Sequence, residues 1–230
     1  MNYIRSIAAP AIIAIGLLAL GLCIRSGINS IAENKRYVDV RGLAERTVKA
    51  NQVTWPVQYT VTGDDLPSLY RQCTDNNKVV MKFLTSNGIP AGEISVNPPD
   101  VNDVSSNAWM DRTRFKYAVT STMTVLTSHV DKVRELLNRQ GELLEQGIAF
   151  TNVNITYAYT DLNKVKPEMI AEATRNAREA AIQFANDSDS KLGKIRTATQ
   201  GYFSIEDTDS STPFMKKLRV VTNVTYNLED

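Results

Sequence analysis

Residues 114–126 read Arg-Phe-Lys-Tyr-Ala-Val-Thr-Ser-Thr-Met-Thr-Val-Leu, and their alternation decides what kind of domain the chain builds. Phe115, Tyr117, Val119, Ser121, Met123 and Val125 fall on one face at period two, as a strand with one covered side requires. Immediately before it, residues 105–113 are mostly polar but carry Trp109 and Met110, and before those Glu93 to Val104 reads as a second strand. The three pieces together predict a hairpin with a polar tip, and a hairpin predicts an antiparallel sheet.

Working outward from this hairpin, the same reasoning assigns the rest of the chain. Tyr37 to Leu43 and Val48 to Thr62 are rich in Val, Thr, Trp and Tyr and read as strands, with Gly42 to Arg46 between them. Gly63-Asp64-Asp65 breaks the pattern and Pro67 suits a first helical turn. Leu66, Leu69, Cys73, Val80 and Leu84 then recur at helical spacing until Asn87-Gly88 closes a long amphipathic helix. Downstream, Ser128 with Asp131 resembles a capping box, and Val130, Val133, Leu137 and Leu144 mark a helix to Gly147 that Gly141 weakens by about 1 kcal/mol. Ile148 to Tyr159 is a strand whose apolar phase changes near Asn152, as a bulge produces. A helix from Lys166 or Pro167 to Leu192 carries Ile170, Ala173, Ala177, Ala181 and Phe184 on one stripe, and its alanines permit close approach to a sheet. Lys194 to Ile205 and Lys217 to Leu228 complete the set as strands. The predicted class is α+β: mainly antiparallel sheets with three helices packed on one face.

The N-terminus is of another kind. Ile7 to Ile24 is an uncharged apolar run flanked by Arg5 and Arg25, and eighteen helical residues span about 27 Å, close to a thin bilayer core. Ile7, Ile12, Ile13, Leu17, Leu18, Leu22 and Ile24 are among its large apolar side chains, and the run is read as a transmembrane anchor. Two other fates are open. Ser30-Ile31-Ala32 before Glu33 is a passable signal-cleavage pattern, though about eight residues beyond the run, and Cys23 is a lipidation candidate preceded by an ill-suited Leu22. Counting basic residues does not fix orientation, since Arg5 and the terminal amine on one side face Arg25, Lys35, Arg36 and Arg41 on the other. The division is therefore a tail (1–6), an anchor (7–24), a stalk (25–36) and one α+β domain (37–230), with two small interlocked units as the other solution for a chain of that length.

Composition excludes several functions. Lys plus Arg number 26 and Asp plus Glu 25, a net charge of +1 that gives no electrostatic case for nucleic acid. Cys23 and Cys73 lie in different compartments of this plan and form no internal disulfide. With His129 the only histidine, most zinc sites and imidazole-based triads are removed. Asp207-Thr208-Asp209-Ser210-Ser211 begins like a calcium loop, but positions six and twelve are Thr212 and Leu218 where that loop needs Gly and Glu. Cys73 sits on an apolar stripe and reads as a small buried hydrophobe, and His129 as a surface side chain. Lys216-Lys217-Arg219 reads as a guard against edge pairing, and Asp187 to Ser190 as a polar helix end. No catalytic, cofactor-binding or metal residues are assigned. Trp109 and Met110, large and apolar in a polar tip, are the candidate contact of a homo-oligomer.

The soluble part resembles the SIMPL-domain family of bacterial envelope proteins. The resemblance rests on Val38-Asp39-Val40-Arg41-Gly42-Leu43-Ala44-Glu45, on Leu84-Thr85-Ser86-Asn87-Gly88-Ile89 before Glu93-Ile94-Ser95, and on Gly147-Ile148 with Phe150. It continues through Ala173-Thr174-Arg175-Asn176-Ala177-Arg178-Glu179-Ala180-Ala181 to Lys191-Leu192-Gly193-Lys194-Ile195, covering about Tyr37 to Leu228. It implies an exported α+β domain facing the periplasm, with no established enzymatic activity and no catalytic residues to carry over. It also implies links to oxidative-stress defence, ring-like oligomers in at least one relative, and a kinase-associated relative in animals. Two functions are expected from this: a membrane-anchored, non-enzymatic protein that oligomerises, or a periplasmic binding module for a small ligand or a protein partner whose identity is unknown.

Overall fold

Gly42, expected to lie in a turn, lies inside a strand. In the computed structural model, which describes residues 16–25, 36–104, 115–152 and 154–229, β1 runs from Tyr37–Lys49 and the chain turns at Ala50-Asn51 into β2, Gln52–Gly63. The glycine serves packing instead of turning: a Cβ on it would meet the carbonyl oxygen of Ala173 at 1.8 Å.

The remaining elements are α1 (Leu66–Ser86), a 3-10 turn (Ala91–Glu93), β3 (Ile94–Val96), β4 (Asp100–Asp103), β5 (Tyr117–Thr127), α2 (Val130–Asn138), α3 (Gly141–Leu144), β6 (Phe150–Asn152), β7 (Thr156–Ala158), α4 (Leu162–Asp187), β8 (Lys191–Asp207) and β9 (Met215–Glu229). They form two compact units. One is drawn from residues up to Arg46, Asn163–Ser204 and Arg219–Asp230, the other from Thr47–Leu162 and Ile205–Leu218.

The second unit holds a six-stranded antiparallel sheet in the order β3-β5-β2-β6, with β4 also on β5 and β7 also on β2. The period-two reading of β5 holds: Val119, Ser121, Met123, Val125 and Thr127 are buried, opposite an inward set of Val53, Trp55, Val57, Tyr59 and Val61 on β2. α1 lays Leu69, Cys73, Val80, Phe83 and Leu84 on this face, and α2 adds Val130, Val133 and Leu136. Asp65 caps α1 by accepting from Ser68 N at 3.0 Å, and Gly88 leaves it with a φ of +89°, a conformation that suits glycine.

Three expected elements are divided, each for a local reason. Pro98 and Pro99 split the strand from Glu93 to Val104 into β3 and β4, because neither has an N–H to give the ladder. The strand from Ile148 is split into β6 and β7. Thr54 faces Thr156 and Val57 faces Asn152, so two residues of β2 oppose three of the partner, a bulge placed beside Pro56, which has no N–H to donate. Gly141 begins the short α3 instead of continuing α2. The capping box at Ser128 is absent: His129 occupies the cap position, and Thr127 Oγ1 accepts its backbone N–H at 3.0 Å.

The first unit has a three-stranded sheet, β1-β9-β8, covered by α4. The helix starts a turn earlier than expected, so Pro167 is its sixth residue, past the first turn, and its missing N–H forgoes one intrahelical bond. Its buried stripe is Met169, Ala173, Ala177, Ala181 and Ala185; Ile170 is half-buried and Phe184 is exposed, so the apolar face is one residue out of step with the expected one at both ends. Val40, Val224 and Tyr226 complete this core. Because β9 is the central strand, Lys216, Lys217 and Arg219 guard no edge. Lys216 is buried and bonded to Asp207 across the β8–β9 hairpin, and Arg219 lies 3.6 Å from Glu45.

At the N-terminus residues 16–25 are helical, and Leu17, Leu18, Leu22 and Ile24 are exposed. Among the described residues no helix is long and apolar enough to cross a membrane. Ile7, Ile12 and Ile13 of the expected anchor, and Trp109 and Met110 of the expected contact, lie outside the described residues.

Candidate functional site

A groove of about 770 Å3 runs along the outer flank of α1 in the second unit. Helical spacing builds one wall: Tyr70, Thr74, Asn77, Lys78, Met81 and Thr85 recur at three- and four-residue steps and project to the same side. The other wall is the β3–β4 connection, Val96 to Pro99, held in place by Asn97 N–H donating to Thr122 O at 3.0 Å and Asn97 Nδ2 donating to Thr124 Oγ1 at 3.4 Å. The consecutive prolines thus do two things: they interrupt the edge ladder, and they turn a rigid apolar surface towards the helix.

The floor is a buried polar cluster where an apolar one would be expected. Tyr59 and Ser121 are direct cross-strand partners on the inward face of the sheet, and both are 1% exposed. The Tyr59 hydroxyl reaches two acceptors at 2.8 Å, Cys73 O and Asn77 Oδ1, and Ser121 Oγ lies 3.0 Å from the same Oδ1. Burial, only partly offset by the Ser121 hydroxyl, pushes the Tyr59 phenol up to about 12, so it is a neutral hydrogen-bonding group at any physiological pH. Burial likewise raises the Cys73 thiol, as its place on the apolar stripe implied. An un-ionised, covered thiol is a poor nucleophile.

The electrostatics of the walls are mild. Lys78 is paired with Asp75 at 2.9 Å, both largely exposed, and Lys82 stands at the rim. Among the described residues no group of three or more His, Cys, Asp or Glu is placed to hold a metal. The arrangement offers an apolar trough with fixed neutral polar atoms at its base, which suits reversible binding.

The other candidates are dispersed. His129 is exposed at the start of α2. The acidic loop is a self-contained hairpin turn: Asp209 accepts from the backbone and hydroxyl of both Ser211 and Thr212 at 2.5–2.8 Å, and these bonds hold its carboxyl down at about 2. Ser190, in the polar end of α4, is buried and accepts from Arg36 at 3.1 Å. None of these meets the groove. The groove itself escaped the sequence reading, although Ser121 on the covered phase of β5 and Asn77 one turn after Cys73 on α1 were visible as polar intrusions into apolar stripes.

No curated protein matches this chain. Residues 38–226 match the family model for SIMPL, described as a protein of unknown function (DUF541), which agrees with the resemblance in Val38–Glu45 and Ala173–Ala181.

Proposed function

We propose, for a chain that belongs to the SIMPL family and so shares a fold without an assigned activity, that it is a non-enzymatic binding protein of the cell envelope, held at the membrane by Ile7 to Ile24 with its domain in the periplasm. The observation that carries the binding function is the groove along α1, whose volume of about 770 Å3 lies in the range that small ligands occupy. Stress protection is then the outcome of capture rather than of turnover, in keeping with a Cys73 thiol that is buried and raised in pKa. The envelope location rests on the apolar run and the family resemblance. The test is an NMR titration of the full chain in lipid nanodiscs with a fragment set. Perturbed resonances are expected at Met81, Val96 and Ser121, and are expected to vanish in Thr85→Trp, which fills the groove, at unchanged melting temperature. Perturbations scattered over the surface and indifferent to Thr85→Trp would overturn the assignment.

A second reading, assembly into a homo-oligomer, is favoured by β8. It is a 17-residue edge strand whose central residues are exposed on both faces, with Tyr202 96% exposed, the kind of edge that pairs with another chain unless covered.

A further inference from the structure

The first unit has a groove of its own, at the end where the chain arrives from the N-terminal apolar run. It encloses about 610 Å3 between a flank of α4 and the start of β8. Arg178 and Ile182, one helical turn apart, form the helix side, and Lys191, Lys194 and Ile195 the strand side, together with Leu192 and the buried Tyr226. Backbone and side-chain bonds fix its place. Leu228 N–H donates to Arg36 O at 3.0 Å, and the Arg36 guanidinium donates to Ser190 Oγ at 3.1 Å, immediately before Lys191. The first residues of β1 and of β8 therefore lie at one end of the unit, and only residues 25–36 separate that end from Ile24, the last residue of the apolar run.

The lining combines two kinds of surface. Three of its side chains are cationic, and among the described residues no Asp or Glu lines it; Glu229 reaches Gly193 from β9 without joining the lining. Arg178 and Lys194, both exposed, have no hydrogen bond or ion pair among the described residues, so their charges are uncompensated. Beside them Ile182 and Ile195 are large apolar side chains left exposed. A free cation next to an uncovered isoleucine, on each wall, matches a partner that is anionic at one level and apolar just beyond it. Tyr37 is exposed at the same end, with the Arg196 guanidinium 5.2 Å from its ring centroid, and an amphipathic aromatic of this kind suits a membrane–water interface. Nucleic acid calls for a wider basic field than three side chains in a chain of net charge +1. A bilayer surface is within reach, because residues 25–36 even fully extended span no more than about 40 Å. A tether of that length raises the effective concentration of the surface, so that individually weak contacts count.

We propose that this end of the first unit docks on the bilayer that holds Ile7 to Ile24, with Arg178 and Lys194 on the phosphates of anionic phospholipids and Ile182 and Ile195 against the apolar level beneath them. This rests on the membrane anchoring proposed above and is independent of the groove along α1. The contact holds the first unit down on the membrane instead of leaving it to swing on its stalk.

The experiment places the full chain in nanodiscs of phosphatidylcholine alone and of phosphatidylcholine with added phosphatidylglycerol, each with a paramagnetic label on a fraction of the headgroups, and reads the broadening of individual amides by NMR. Broadening at Ile182, Lys194 and Ile195 is expected to be several-fold stronger in the anionic discs. Replacing Arg178→Gln and Lys194→Gln together is expected to weaken it by roughly fivefold for each cation removed. The melting temperature should not change, since neither side chain has a partner to lose. Raising the salt concentration should release the contact in the same way. Equal broadening in the two compositions, or broadening indifferent to the double variant, overturns the docking surface and leaves the anchor standing. A chain that enters neither kind of disc overturns both.

Discussion

Replacing Gly42 by alanine is a severe test of how the first unit is built. The new Cβ falls 1.8 Å from Ala173 O, 2.6 Å from Ala177 N and 2.8 Å from Ala173 C, all backbone atoms of α4 that no side-chain rotation can move. Ordinary contact needs roughly 3.5 Å, so the helix must retreat by more than about 1.5 Å or the strand must bend. Either response separates Ala177 and Ala181 from Val40, Val224 and Tyr226 and strains the Asn176 Nδ2 donation to Leu43 O, now 2.8 Å. The expected loss is about 3 kcal/mol or more, at the upper end of overpacking effects. Native-state hydrogen exchange at the Val224 and Tyr226 amides reads it directly. Gly92→Ala is the control, because nothing lies within 4 Å of a Cβ there. The sign is decisive: without the clash, a glycine-to-alanine change lowers the entropy of the unfolded chain and stabilises by about 0.4–1 kcal/mol. Opening free energies within 1 kcal/mol of the unsubstituted protein would refute the close approach of α4 to β1, and Ala177→Gly should not rescue the variant because the clash is with main chain.

Tyr59→Phe should cost about 1–3 kcal/mol in thermal melts, since it removes the buried hydroxyl that bonds Cys73 O and Asn77 Oδ1, whereas Thr60→Ala, which removes an exposed hydroxyl bonded to Thr120, should cost under about 1 kcal/mol. The Asp209 carboxyl, depressed from 3.8 to about 2, contributes stability that is present above its unfolded value and lost as pH falls through about 2; a carbon-detected NMR titration should find its midpoint there, and Ser211→Ala with Thr212→Val should return it towards 3.8. Changing Trp109 and Met110 to Ser should shift the full chain towards monomer in sedimentation velocity without lowering its melting point, and an unchanged assembly would move the contact to the β8 edge.

Strict periodicity was legible wherever one principle acted alone. The alternation of β5 and of β2 from Val53 to Val61, and the α1 stripe from Leu69 to Leu84, match the expected faces because alternation or helical spacing there encodes a single covered face, as Met123 and Val80, both fully buried, show, whereas Leu66 is exposed and Val48 belongs to β1. Reading failed where a residue has two uses. Gly42 reads as a turn residue because glycine favours turns, yet its lack of a side chain is needed for the close approach of Ala173 on α4, distant in sequence, information no local window contains. Lys216 reads as a guard because its cluster flanks a strongly apolar strand, whereas it is buried with a partner, Asp207, on the neighbouring strand. Phe184 was placed on the covered face of α4 because it is apolar, while the interface favoured the smaller Ala185. The groove was the least legible feature: its walls come from one exposed helix flank and a proline pair, both of which look like ordinary surface, and only the polar intrusions Asn77 and Ser121 marked its floor.

The way the chain is shared between the two units bears on the order in which they can fold during synthesis. The unit that begins the domain needs β9 from Arg219 onwards, and the other needs Ile205–Leu218, so neither has all its residues until the last strand is available. β9 is also the middle strand of its sheet, without which β1 and β8 have no common neighbour. A ribosome delivering these residues from the amino side therefore leaves both units open until β9 emerges, and the fifteen residues of that strand act as the closing piece of each. A frameshift or stop ahead of β9 is therefore as damaging as one ahead of β1.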